Sequence, residues 1–156
     1  MSRFRFRLQD LMQLAEAREK EQATQLARAQ QAAAMARLHA ETLNALRAAG
    51  SEQIAAAHGR GTAAGSIQQM SLILEQLERH HAAAASVLSS AEAEVARCRA
   101  AYTTVAQERQ VLDKLRERRH EAWRIEQAQH EQKQMDELAA TRHGKSKGPT
   151  GGSGTS

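Results

Sequence analysis

Apolar positions along the chain recur in steps of three and four. From Ile67 the series runs Met70, Leu74, Leu77, His81, Ala84, Leu88, Ala91, Val95, Cys98, Tyr102 and Val105, with only His81 polar among its side chains. A repeat sustained this far predicts a coiled-coil helix. An earlier and weaker series reads Leu8, Met12, Ala15, Glu19, Gln22, Leu26, Ala29, Ala33, Ala36, Ala40 and Leu43. Neither glycine nor proline interrupts the chain between Ser2 and Ala49 or between Ser66 and His143, so two long helical tracts are predicted. The segment between them, "GSEQIAAAHGRGTAAGS", holds four of the nine glycines and is the natural place for a turn. Ser66 followed by Gln69 forms a capping-box pattern, which sets the predicted start of helix 2. Helix 1 ends somewhere from Ala49 to Ala57, with Gly50 one candidate terminator.

Folding the second tract back on the first brings the two series into register. Facing positions then sum to 124: Leu43 meets His81, Ala40 meets Ala84, Ala36 meets Leu88, Ala29 meets Val95, Leu26 meets Cys98, Gln22 meets Tyr102 and Met12 meets Leu112. The turn this requires centres near Thr62, inside the glycine-rich segment. The predicted fold class is therefore all-α: a long antiparallel two-helix coiled-coil hairpin over residues 1–142, with an overhanging C-terminal helix. Helix 1 is placed at about 3–57, the turn at about 58–65, helix 2 at about 66–142, and a flexible, disordered tail at 143–156. Such a chain would be a rod over ~100 Å long at 1.5 Å per helical residue.

Residues after about His120 overhang the start of helix 1 and have no facing partner in this register. The overhang is on the order of 30 Å long. Its sequence, "RIEQAQHEQKQ", offers only Ile125 and Ala128 as apolar contacts. A helix polar on all faces needs bridging, dense ion pairing or a partner. Trp123, the only tryptophan, stands where the pairing ends, close to Phe4 and Phe6.

Composition sharpens this picture. Aromatic residues make up 3% of the 156 residues and Pro149 is the only proline, which argues against a mixed globular core. The net charge of +4 is spread through alternating acids and bases, as on a solvated helical surface. Local basic excess occurs at Arg3, Arg5 and Arg7, and at Arg142, Lys145 and Lys147. Cys98 is alone, so no intrachain disulfide can form. No stretch approaches the ~20 apolar residues of a membrane span, and no signal-peptide core begins the chain, so a cytosolic protein able to visit a membrane surface is expected.

Several chemical motifs almost appear. "AATRHGKS" at Ala139–Ser146 has the spacing of a phosphate-binding loop but lacks the preceding strand and following helix that aim backbone amides at phosphate. "GRGTAAG" at Gly59 has one residue too many for a dinucleotide loop. His120 and Glu121 begin a zinc-binding helix pattern whose fifth position is Arg124. With no enclosed pocket in a two-helix hairpin, no enzyme, cofactor, metal or small-molecule substrate is expected. Nucleic-acid binding is the rival from another class, but too few aromatic residues are present to stack bases.

The residues also resemble a known family. "RFRLQDLMQLAEAREKE" at Arg3–Glu21, "QQMSLILEQL" at Gln68–Leu77 and "VLDKLRERRHEAWRIEQAQHEQKQMDELA" at Val111–Ala139 are similar to the FliJ-type flagellar export proteins. The resemblance implies an antiparallel hairpin similar to the central stalk of rotary ATP synthases. It also implies a cytoplasmic component, peripheral at the inner face of the cell membrane, in type III export for flagellum biogenesis and motility. The partners implied are the hexameric export ATPase, the export gate protein and export chaperones, with no nucleic acid. The gate contact, an aromatic and a leucine near the start of helix 2 in the family, falls on Met70 and Leu74, with Met in place of Phe. Both also belong to the seam. At the end assigned to the ATPase ring stand Phe4, Phe6, Trp123, Ile125, Met135 and Leu138. The stalk of a virulence-type injectisome is the rival within the same class.

Overall fold

The computed structural model describes residues 3–146. Two helices make up the fold, α1 over Gln9–Gly59 and α2 over Ala64–Ser146, and they pack against each other. The expected all-α helical hairpin is thus the architecture found. Two compact units are each built from part of both helices. One, the terminal unit, comprises Met1–Met12 and Gln110–Ser156; the other, the turn unit, comprises Gln13–Arg109.

In the turn unit the connection is shorter than the sequence suggests. Helix α1 runs through Gly50 to Gly59, and α2 starts at Ala64 rather than Ser66. The end of α1 is a Schellman motif. Thr62 N–H donates to the Ala57 carbonyl at 3.1 Å and Gly61 N–H to the His58 carbonyl at 3.3 Å. These bonds satisfy carbonyls that the last helical turn leaves open. Gly61 takes φ of 66°, a left-handed conformation that costs glycine little. On the far side, Ser66 and Ile67 N–H groups both donate to the Ala63 carbonyl, so backbone starts α2 two residues before the predicted capping box. Gly50 has a different use. A Cβ there would lie 3.4 Å from Leu74 Cδ1, so its missing side chain makes room for Leu74.

The seam of this unit follows the heptad series. All of its predicted positions, from Ala15 to Leu43 and from Ile67 to Val105, are buried or half-buried, while most of their neighbours are exposed. The series continues unpredicted through Arg47, Gly50, Ile54 and Ala57. Gly50 opposite Leu74 obeys the sum of 124. Among the buried apolar residues are Ala15, Ala29, Ala33, Ala40, Ala57 and Ala84. Small side chains let the helices approach closely, and the seam is correspondingly narrow. Glu19 lies inside it and forms an ion pair with Arg109 of α2. Outside the seam, Arg37 Nη2 donates to Glu92 Oε1 at 2.8 Å, another bridge between the helices.

In the terminal unit helix 1 does not begin at Arg3. Residues 3–6 are non-helical and 7–8 form a turn, with Gln9 N–H donating to the Phe6 carbonyl at 3.1 Å. Burial alternates along this arm: Arg3, Arg5 and Arg7 are exposed, Phe4 is half-buried and Phe6 is buried. Residues two apart share a side in an extended chain but lie on nearly opposite faces of a helix. The non-helical course therefore lets both phenylalanines turn inward, which a helix would not allow. At the other end α2 continues to Ser146, four residues past the predicted boundary. The rest of the predicted tail, residues 147–156, lies outside the described residues.

Candidate partner-binding site

The terminal unit gathers the residues that the sequence singles out at its two ends. Phe4 meets the His120 ring edge-on with centroids 4.9 Å apart and the Trp123 ring at 5.8 Å. His120 and Trp123, one turn apart on α2, are 5.8 Å apart. Phe4 and His120 again sum to 124, so the register of facing residues appears in this unit too. Tilted and edge-on contacts of this kind favour aromatic pairs beyond their area burial. Phe6 is 5% exposed and Met12 fully buried. Phe6 is thus an anchor for the arm rather than a surface that a partner could touch.

His120 is the member of this cluster that sequence reasoning missed. It stood out only as a failed metal motif, although the register places it opposite Phe4. Among the described residues no group of three or more His, Cys, Asp or Glu could hold a metal ion. Nor is any described helix long and apolar enough to cross a membrane.

Beyond Trp123 the helix is bare. From Arg124 to Gly144 every residue is exposed except the half-buried Gln127. Ile125 is 50%, Met135 67% and Leu138 58% exposed. Ile125 and Ala128 line a shallow, largely apolar groove with Gln129, Gln132 and Lys133. The structure therefore unites Phe4 and Trp123 with His120 in one packed cluster, buries Phe6 in the same unit, and leaves Ile125, Met135 and Leu138 exposed along α2.

Met70 and Leu74 lie in the turn unit and are half-buried in its seam, Leu74 against Gly50. Their apolar neighbours Leu72 and Ile73 are 57% and 63% exposed. These two fall outside the heptad series, so the seam does not account for their apolar character.

A family model described as the flagellar FliJ protein matches residues 4–148, from the arm through the bare helix. The chain belongs to the FliJ family. It is accordingly a flagellar export-related protein, of a family that serves as a structural export component. No curated protein and no solved structure matches it. Within the FliJ match lie both candidate surfaces, the terminal cluster with its bare helix and the Leu72–Leu74 region of the turn unit.

Proposed function

We propose that this FliJ-family chain is the stalk-like coupling component of the export apparatus. Its terminal unit engages the hexameric export ATPase, its turn unit contacts the cytoplasmic part of the export gate, and it helps to cycle export chaperones at the inner face of the membrane. The observation that carries this reading is the run from Arg124 to Gly144, a helix exposed on nearly every face beyond a packed aromatic cluster. Such a helix gains little from its own chain and is suited to gain contacts from a surrounding partner. The family match supports the flagellar apparatus over the injectisome equivalent.

For the gate, Met70 and Leu74 support the seam from within, and Leu72 and Ile73 offer the apolar surface above it. Replacing Leu72 and Ile73 with Ser should therefore weaken gate binding and swimming while helicity and ATPase capture persist. Met70→Ala with Leu74→Ala should in addition lower the melting temperature, since it removes seam contacts. If the Ser pair leaves gate binding unchanged, this face is not the gate contact. Capture of the export ATPase by the tagged full chain tests the other end, and its failure would remove the stalk reading altogether.

A further inference from the structure

The charge of this protein is concentrated in one place. Residues 3–12 and 110–124 carry eight Lys or Arg against four Asp or Glu, and the remaining residues hold fourteen of each. The whole net charge of +4 therefore belongs to the arm and the stretch of α2 in its unit. Within it, Arg3 and Arg5 are exposed on the non-helical stretch 3–6 and Arg7 is exposed in the turn that follows, while Phe4 is half-buried and Phe6 buried. None of the three takes part in the ion pairs found among the described residues, which use Arg37, Arg97, Arg109 and Arg124.

We propose that this arm is a docking element for an acidic protein segment, one that presents carboxylates at alternate positions of an extended chain. Arg3 and Arg5 alternate with the inward Phe4 and Phe6 in a period of two, and a strand-like period of two is about 6.6 Å, the pitch at which a second extended chain presents its own side chains. Guanidinium groups recognise carboxylates through paired, charge-assisted hydrogen bonds. The packing of Phe4 and the burial of Phe6 hold the stretch that carries Arg3 and Arg5, so less ordering is left for the partner to impose.

Two observations favour a peptide over a phosphate polymer or an anionic membrane. Asp10 lines the same groove as Arg3 and Arg5, and Asp113 and Glu117 line the next one, with Phe4, Arg116 and His120. A uniformly anionic surface would press on those carboxylates, whereas spaced glutamates can pass between them. In addition, Phe4 and Trp123 pack on each other and on His120, which leaves them ill-placed to stack on bases. This inference goes beyond the export reading and does not depend on which protein carries the segment.

The test uses the full chain and a short fluorescein-labelled peptide of alternating Glu and Thr, read by anisotropy at low salt. The wild-type chain should bind it, and added salt should weaken the binding. The variant R3Q/R5Q/R7Q should bind at least roughly tenfold more weakly. The control R28Q/R79Q/R99Q makes the same charge change at exposed sites of the turn unit and should stay within about twofold. The single change Arg5→Gln, at the middle one of the three, should cost about threefold and serves as the readout if the triple change loosens the arm. Equal losses in the two triple variants, no binding of the peptide, or tighter binding of phosphatidylserine vesicles or a single-stranded oligonucleotide would each overturn the proposal.

Discussion

Cys98 shows how the seam changes the chemistry of a single residue. It is 2% exposed, its thiol donates to Glu94 Oε1 at 3.6 Å, and Arg97 Nη2 lies 3.8 Å from its sulfur. Burial, then the Glu94 hydrogen bond, pushes the thiol above its ordinary range. Folding therefore suppresses the thiolate, the form that reacts. Iodoacetamide at mildly alkaline pH should label Cys98 in the native protein at least about tenfold more slowly than in urea. Equal rates would mean that the seam is open there. A thiol raised on folding gives stability that is present below its unfolded pKa and lost as pH rises through the folded value. Cys98→Ala should therefore flatten the alkaline fall of the melting temperature. Glu94 has the opposite sign: the hydrogen bond from Arg97 holds its carboxyl at about 2. Its contribution is present above the ordinary carboxylate range and lost as pH falls towards 2. Exposure of this pair to water keeps that contribution small.

At the scale of the helices, the heptad series carried most of the information. It placed Ala40 and Ala84 inside, and both are buried. Ala32, one position from buried Ala33, is exposed. Ala40→Glu should then destabilise the protein by about 3 kcal/mol in urea melts, because it forces a charge into the seam. Ala32→Glu should change stability by less than about 0.5 kcal/mol. Similar costs at the two sites would contradict the register. The Glu19–Arg109 pair was only half visible: Glu19 interrupts the first series, and the register carries the second past Val105 to Arg109 but sets Arg109 opposite Ala15 rather than Glu19. Each is partly exposed, 22% for Glu19 and 33% for Arg109. Glu19→Leu, which removes that contact, should cost about 1–2 kcal/mol, less than for a fully buried pair. Adding Arg109→Leu should recover much of the loss, and a double-mutant cycle with no coupling would show that the pair contributes nothing. Helix propensity favours a start at Arg3, but the arm carries a period of two instead. "RFRFR" alternates aromatic and charged side chains, and turning both phenylalanines inward outweighs continuing the helix.

For the molecule as a whole, the register and the glycine turn were legible because local pattern and long-range pairing agree. Partner contacts were less legible, since a surface that waits for another protein has no facing residue in its own sequence. Phe4, His120 and Trp123 could be brought together only through the register, which sets His120 opposite Phe4 and Trp123 one turn further on. On the proposed function, the terminal unit of this FliJ-family chain meets the export ATPase. Trp123 is the only tryptophan and lies against Phe4 and His120 at the start of the bare helix. In the free protein, amides from Arg124 to Leu138 should exchange quickly, since all of these residues but the half-buried Gln127 are exposed. The deciding measurement adds the export ATPase hexamer and follows Trp123 emission together with that exchange. The account predicts a blue shift and slowed exchange across Arg124–Leu138. An ATPase that binds while both signals stay unchanged would contradict it and move the contact to the turn unit.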